Sequence, residues 1–201
     1  MNLLQRRIKL ETSRLYLCTD IRDGGDDLAR FLDAVLGAGV DIVQMREKNA
    51  DAETQKDAAL VFRELTHKHA ALFIVNDDPN LAASTHADGV HLGQEDMEPD
   101  RARELLGEGS LIGRSTHNLD ELTRAFDEPV DYLGVGPVHE TPTKPGREGV
   151  GLDLVRFAAA RSAKPFFVTG GMNVQTIPSV LDAGASRMVV VRALLPYSVS
   201  D

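Results

Sequence analysis

The sequence alternates short apolar runs with longer amphipathic segments along nearly its whole length, and this alternation strongly constrains the fold. Each run has the length of a strand, and most are nearly continuous in apolar residues, as in parallel sheets covered on both faces. Eight such strands separated by helix-length segments predict a (β/α)8 barrel, with a doubly wound open sheet as the alternative. The predicted strands are Leu15–Cys18, Ile42–Arg46, Ala71–Val75, Gly89–Gln94, Leu111–Ser115, Tyr132–Gly136, Phe166–Thr169 and Met188–Val191.

The two ends of the sequence fit this barrel less simply. We expect residues 1–13 to form an N-terminal extension and residues 196–201 a tail, with residues 1–201 as a single domain. After the last predicted strand only the segment Arg192–Asp201 follows, and Pro196 interrupts it. The eighth helix is therefore predicted to be short or missing.

Composition narrows the classes of protein to be considered. The chain has 201 residues, 42% of them hydrophobic, so one sizeable core is expected. A net charge of −9 disfavours non-specific nucleic-acid binding, and no apolar run approaches the length of a membrane span. Cys18 is the only cysteine, and no signal-peptide pattern is present, which together indicate a cytoplasmic protein.

Polar residues follow most of the predicted strands. In barrel enzymes the active site gathers at the carboxyl ends of the strands, so these side chains are expected to converge. Carboxylates, cations, hydroxyls and glycine N–H groups are together suited to holding anionic oxygen, which predicts small phosphorylated substrates. The residues concerned are Gln44, Arg46, Lys48, Asn76, Asp77, Asp96, Ser115, His117, Thr141, Thr143, Lys144, Gly170, Gly171 and Arg192.

Asp77 and Asp96 follow the third and fourth strands, one short crossover apart. If the strands are parallel neighbours, their ends lie about 4.8 Å apart, and both carboxylates can reach one cation. Magnesium takes one or two carboxylates and leaves its other positions to water and phosphate. The alternative is that each aspartate caps the helix that follows it. Zinc is not expected, because the sequence has no Cys/His cluster.

The cations lie on the second strand and in a long loop. Gln44, Arg46 and Lys48 alternate, so they point the same way on an extended strand and suit a diphosphate, unless Glu47 pairs with one of the cations. The loop Pro137–Gly151 brings two threonines and a lysine that can close over phosphate, unless it is an ordinary surface loop.

His91, inside a strand, is interpreted as a packed core residue.

Six motifs resemble those of thiamine phosphate synthase, in order and in spacing. They are QMREK, NDDPNLA, ADGVHLGQED, GRSTH, GPVHETPTKPG and VTGGM, and the resemblance runs from Leu15 to Leu194. It implies a (β/α)8 barrel transferase of thiamine biosynthesis. The family joins 4-amino-2-methyl-5-(diphosphooxymethyl)pyrimidine to 4-methyl-5-(2-phosphooxyethyl)thiazole and releases pyrophosphate, by a magnesium-assisted dissociative mechanism.

The resemblance also implies roles for individual residues. Asp77 and Asp96 would hold Mg²⁺, and with Lys144 and Ser115 they would form the catalytic set. Gln44 would lie near the pyrimidine ring. The pyrimidine diphosphate would be bound by Arg46, Lys48, Asn76, Ser115 and Lys144, and the thiazole phosphate by Thr141, Thr143, Gly171 and Arg192.

Two positions depart from the family pattern. Asn80 stands where the family often has a second aspartate, and Arg192 where it usually has a small serine. The arginine either binds the thiazole phosphate or pairs with an acidic neighbour. Two other functions remain open: a related thiazole tautomerase, which typically lacks Asp96 and the Thr141–Lys144 element, and a non-catalytic thiamine-phosphate-binding protein. A homo-oligomer is also left open.

Overall fold

The computed structural model describes residues 1–22, 24–140 and 149–194. Within them eight parallel strands form a closed barrel in chain order, with β8 paired to β1. The strands are β1 (Leu15–Thr19), β2 (Ile42–Met45), β3 (Leu72–Asn76), β4 (Gly89–Leu92), β5 (Leu111–Thr116), β6 (Tyr132–Val135), β7 (Phe166–Val168) and β8 (Met188–Val190). The helices are α1 (Leu3–Thr12), α2 (Gly25–Gly37), α3 (Ala52–Lys68), α4 (Pro79–Ser84), α5 (Pro99–Leu106), α6 (Leu119–Ala125), α7 (Gly151–Arg161) and α8 (Ile177–Asp182). The predicted barrel is confirmed, and the open sheet is wrong.

Every predicted strand is present, and the carboxyl end of each differs from the prediction by one or two residues. The fourth strand was expected to reach Gln94 but ends at Leu92. The reason is a side-chain hydrogen bond: the N–H of Gly93 donates to Asp96 Oδ2 at 2.6 Å, so the backbone turns there. The second strand ends at Met45, which leaves Arg46 in the loop.

The core consists of two apolar clusters, one inside the barrel and one between the barrel and the helices. The interior cluster packs three rings, with the centroid of Tyr16 5.4 Å from that of Phe167 and Tyr132 5.7 Å from Phe167. Gly113 makes room for this packing, because a Cβ there would lie 2.2 Å from the Tyr132 ring. The outer cluster fills the space between strands and helices, and fully buried leucines such as Leu28 of α2 belong to it. No helix in the described ranges combines the length and apolarity needed to cross a membrane.

Helix α1, formed by the N-terminal extension, lies against the amino end of the barrel. Its Leu10 belongs to the interior cluster. Arg6 Nε lies 2.7 Å from Asp88, Lys9 Nζ lies 2.7 Å from Asp41, and Arg7 reaches a third aspartate, Asp131, at 3.6 Å. The helix is therefore fixed by an apolar contact and by ion pairs.

The three aspartates that pair with α1 occupy equivalent positions. Each immediately precedes an even-numbered strand, and each also accepts an N–H from the strand before it. Asp41 Oδ2 accepts from Leu15 at 3.2 Å and from Arg14 at 2.8 Å. Asp88 accepts from Phe73 at 3.0 Å, and Asp131 accepts from Ile112 at 2.9 Å. These carboxylates thus connect neighbouring strands to each other and to α1.

The carboxyl terminus is described as far as Leu194. Residues 191–194 contain no helix. The helix expected to be short or missing is the one that would follow β8, which is not α8. Its segment also includes residues 195–201, which lie outside the described residues, so for them the expectation stays a prediction.

Replacing Asp41 by Asn should lower the free energy of unfolding by about 1–3 kcal/mol at neutral pH, because a charged acceptor is lost. Burial alone would raise the pKa of Asp41, but the N–H of Arg14 and the ammonium of Lys9 lower it below its ordinary value. Stability from a depressed carboxyl pKa is present above the ordinary pKa and is lost as pH falls through the lower, folded-state value. The difference between parent and variant should therefore shrink in acid, as measured by urea unfolding at several pH values.

The matched control is Asp57→Asn, which changes an exposed aspartate of α3. It should alter the free energy of unfolding by less than about 0.5 kcal/mol. An equal loss in both variants, or a loss for Asp41→Asn that does not change with pH, would contradict the role given to this carboxylate.

Candidate active site

A cavity of about 1080 Å³ lies at the carboxyl ends of the strands. Every predicted site residue in the described part of the chain lines it. These residues are Gln44, Arg46, Lys48, Asn76, Asp77, Asp96, Ser115, His117, Gly170, Gly171 and Arg192. Thr141, Thr143 and Lys144 lie outside the described residues. The structure thus brings the described set together, while the role of each member stays a prediction.

The local backbone explains how Asp77 reaches the cavity. Its φ of 65° lies in the left-handed region, and its N–H donates to the carbonyl of His91 on β4 at 2.9 Å. The next residue, Asp78, caps α4 by accepting the N–H groups of Asn80 and Leu81. The capping role considered for Asp77 therefore belongs to Asp78, and the side chain of Asp77 lines the cavity.

Asp96 is not a helix cap either. Helix α5 begins after Glu98, two residues further on, and the carboxylate of Asp96 turns back to the N–H of Gly93. The glycine permits this close approach, because a Cβ at Gly93 would lie only 3.0 Å from Asp96 Oδ2. Both aspartates are thus held by loop geometry beside the cavity.

The two carboxylates are close enough to interact directly. Burial raises the pKa of Asp96 above its ordinary value, and Asp77 raises it further through a hydrogen bond and charge repulsion, against the lowering effect of the Gly93 N–H. Lys48 partly offsets this repulsion, since its Nζ lies 3.3 Å from Asp77 Oδ2. Two carboxylates this close repel each other when both are ionised, so a cation bound between them stabilises the pair.

The donor set fits magnesium. Within the described ranges no group of three or more His, Cys, Asp and Glu side chains is placed to hold a metal. A site with two carboxylates leaves most positions of a cation to water and to a phosphorylated ligand, which is the usual arrangement for Mg²⁺. Asp77 and Asp96 would therefore hold it, with Asn76 beside them.

The cations after β2 are available to a ligand. Glu47, which was considered as their partner, accepts the N–H groups of Asn49 at 2.6 Å and of Ala50 at 3.2 Å. Those N–H groups lower the pKa of Glu47, with Asn49 contributing most. Lys48 instead pairs with Asp77, and Arg46 lines the cavity beside it. The positive charge therefore lies next to the carboxylate pair.

A chain of hydrogen bonds crosses the floor of the cavity. Ser115 Oγ lies 2.9 Å from His91 Nε2, and His91 Nδ1 lies 3.2 Å from the hydroxyl of Tyr132. That hydroxyl lies 3.1 Å from the hydroxyl of Tyr16, which accepts from Gln44 Nε2 at 2.7 Å. Burial raises the pKa of both tyrosines, so the hydroxyls stay neutral. The floor is thus aromatic, and these hydrogen bonds fix the orientation of its polar groups.

His91 is a correction to the sequence interpretation. It is half-buried and lines the cavity rather than being packed within the core. Two glycines make room for its ring: a Cβ at Gly113 would lie 2.5 Å from it and a Cβ at Gly134 3.1 Å. Glycines at inward positions of the next two strands are the sequence signal that could have revealed this space.

His117, which was expected at the site, forms a pair on the cavity wall with Glu121, which sequence reasoning did not assign. His117 Nδ1 lies 2.8 Å from Glu121 Oε2, which also accepts the His117 N–H at 2.8 Å. Burial opposes ionisation of Glu121, but these contacts lower its pKa overall. Asn118 caps α6 by accepting the N–H of Glu121.

The loop after β7 brings backbone to the cavity. Gly170 and Gly171 have φ values of 99° and 72°, in the region that favours glycine. A Cβ at Gly170 would lie 2.5 Å from Pro137, so this approach also requires glycine. Arg192, after β8, is exposed at the edge of the same cavity, and it forms no ion pair with any residue in the described ranges. Its binding of the thiazole phosphate stays a prediction.

Comparisons with known proteins converge on one family. A family model described as thiamine monophosphate synthase matches residues 15–194. The thiamine-phosphate synthase of Thermobifida fusca is 52% identical over 191 residues, covering 94% of this chain and 87% of that protein. That of Acidothermus cellulolyticus is 48% identical over 190 residues, covering 94% and 90%. A solved structure, thiamine phosphate pyrophosphorylase from Pyrococcus furiosus, matches with a TM-score of 0.81 and 33% identity, covering 93% of this chain and 88% of that one.

Replacing Asp96 by Asn should raise the midpoint of thermal unfolding in EDTA at neutral pH. A carboxyl group with a raised pKa favours the folded state below its ordinary pKa, and this contribution is lost as pH rises through the raised value. At neutral pH the parent thus carries the repulsion from Asp77, and the amide removes it. Magnesium should stabilise the parent but not the variant, because binding to the folded state alone raises stability.

Differential scanning calorimetry with EDTA and with magnesium checks both expectations. Equal stabilisation of parent and variant by magnesium would show that Asp96 does not hold the cation.

Proposed function

The chain belongs to the thiamine monophosphate synthase family, and we propose that it joins 4-amino-2-methyl-5-(diphosphooxymethyl)pyrimidine to 4-methyl-5-(2-phosphooxyethyl)thiazole, forming thiamine phosphate and pyrophosphate with Mg²⁺. The observation that carries this proposal is the convergence of a carboxylate pair and two cations on one cavity. The cavity volume of about 1080 Å³ is at the upper end of ordinary ligand sites, in agreement with two substrates bound together.

The diphosphate would lie over the ends of β2, β3 and β4. Arg46 offers a planar fork and Lys48 a point charge, and both suit phosphate oxygens. Asp77 and Asp96 would hold magnesium against the same diphosphate. When bound, the metal would withdraw charge from the departing oxygen. Lys48 also neutralises part of the charge of Asp77, so the carboxylates do not repel the substrate as strongly.

The reaction that this site suits has two bond changes. The bond between the methylene carbon and the diphosphate oxygen breaks, and its electron pair leaves with pyrophosphate. The thiazole nitrogen then donates its lone pair to that carbon and becomes quaternary. No proton has to leave the nitrogen, so stabilisation of a departing anion matters more than a general base. Arg46, Lys48 and the metal that Asp77 and Asp96 would hold would supply that stabilisation.

The rings would lie on the aromatic floor. The amide of Gln44 is fixed between the Tyr16 hydroxyl and Cys18 Sγ, and it would lie beneath the pyrimidine ring. Ser115, oriented by His91, would contact the same substrate. The thiazole phosphate would be bound near Gly171 and Arg192. The roles proposed for Thr141, Thr143 and Lys144 concern residues outside the described ranges.

The remaining expectations stay predictions. They are a cytoplasmic location, small phosphorylated molecules as the binding partners, and homo-oligomerisation as an open question.

The proposal is tested by measuring pyrophosphate release from the two substrates, with magnesium and with EDTA. We expect release only when the protein, both substrates and magnesium are present. Asp77→Asn should lower kcat by about 100-fold or more, since the leaving group loses electrostatic stabilisation. Asparagine also tolerates the left-handed backbone of Asp77, so the fold should survive.

The matched control is Asp78→Asn, one residue away. Because Asn and Asp cap helices about equally well, this variant should retain kcat within about twofold. Conversion of the thiazole alone without pyrophosphate release would indicate the tautomerase. Binding of both substrates without any turnover would indicate a non-catalytic binding protein. Either result would overturn the proposed function.

A further inference from the structure

A fully buried arginine lies on the strand next to the carboxylate site. Arg114 is 2% exposed. Its neighbours in β5, Gly113 and Ser115, face the barrel interior, so Arg114 faces outward into the layer between barrel and helices. Such positions are ordinarily aliphatic, as Ile112 is on the same face of this strand. Burying a guanidinium is costly, so its contacts require an explanation.

The contacts of Arg114 are unequal. Its Nη1 donates to the carbonyl of Gly93 at 2.8 Å. The ion pairs are longer, with Nε 3.4 Å from Glu128 and Nη2 3.6 Å from Glu98. Neither Arg114 Nε nor Glu128 Oε2 has a hydrogen-bond partner among the described residues. The short contact is therefore the one to the backbone of the loop after β4.

That loop is the one that places Asp96. Gly93 accepts from Arg114 through its carbonyl and donates through its N–H to Asp96 Oδ2 at 2.6 Å. A second brace lies beside it: Gln94 Nε2 donates to the Ser115 carbonyl at 2.6 Å, and Arg124 Nη2 donates to Gln94 Oε1 at 2.7 Å. Both peptide groups of Gly93 are thus fixed, one by Arg114 and the other by the carboxylate.

We infer that Arg114 is a positioning residue: by holding the Gly93 carbonyl it keeps Asp96 next to Asp77, and so sets the affinity of the site for a magnesium–pyrophosphate complex. Arg114 is not among the residues that line the cavity, so it would act through the Gly93 carbonyl and not by touching substrate. The inference rests on the proposed function, because it assumes that Asp77 and Asp96 hold the metal.

The test uses the whole chain and inorganic pyrophosphate, titrated by calorimetry with magnesium and with EDTA. In EDTA no magnesium is available, and pyrophosphate is bound only by the side-chain cations Arg46 and Lys48. Parent and Arg114→Met should therefore bind it equally. With magnesium the parent should bind more tightly, and Arg114→Met should bind about tenfold more weakly than the parent, which is within the usual range for outer partners of metal ligands. Arg114→Lys keeps the charge and one donor, and it should recover part of this affinity.

The matched control is Arg103→Met. Arg103 is also a largely buried arginine that donates to backbone carbonyls and pairs with Asp131, but at the opposite end of the barrel. It should lower thermal stability without changing the magnesium-dependent affinity. Steady-state assays should show the same pattern, with Arg114→Met requiring more magnesium for half-maximal rate.

Two outcomes separate the possible failures. If the parent gains no affinity from magnesium, the metal assignment is wrong and this inference falls with it. If the parent gains affinity and Arg114→Met gains as much, if Arg114→Lys recovers nothing relative to Arg114→Met, or if Arg103→Met loses as much, the metal assignment stands and the positioning role is overturned.

Discussion

The repulsion between the carboxylates of Asp77 and Asp96 is the interaction on which the rest of the site depends. Burial and the neighbouring Asp77 raise the pKa of Asp96, and the contact between the two carboxylates favours a cation between them. Left to itself, a loop would relax by moving the two groups apart. Here each is fixed by backbone: Asp77 by its left-handed turn onto His91, and Asp96 by the N–H of Gly93. The fold therefore maintains a local cost in stability that binding of a cation and an anion would relieve.

The barrel supplies the rigidity that this arrangement needs. At its amino end, the aspartates before β2, β4 and β6 connect those strands to α1, through pairs such as Lys9 with Asp41. In the middle, Tyr16, Tyr132 and Phe167 fill the interior, and the hydroxyls begin the polar floor. At the carboxyl end the loops carry the charges. Stability and chemistry are thus divided between the two ends of the barrel, as is usual for this architecture.

Much of this arrangement is predictable from sequence, because apolar runs of strand length and polar residues at their ends are local patterns. That is why the barrel was anticipated, together with those polar residues of the cavity that follow the strands, such as Gln44, Asp77 and Arg192. What was missed depends on contacts between distant residues. The place of His91 on the cavity wall requires glycines on two other strands, and the burial of Arg114 requires the turn at Gly93. The fourth strand was extended too far because the competing hydrogen bond from Gly93 to Asp96 is made by a side chain.

The central claim is that Asp77 and Asp96 together hold one cation on a diphosphate. The most direct measurement is anomalous X-ray diffraction from crystals of the protein grown with Mn²⁺ and inorganic pyrophosphate, since manganese accepts the same oxygen ligands as magnesium. The account predicts an anomalous peak within coordination distance of both carboxylates, with pyrophosphate oxygens bound to it and Arg46 and Lys48 on the anion. A fully occupied pyrophosphate in this cavity with no peak beside Asp77 and Asp96 would contradict it.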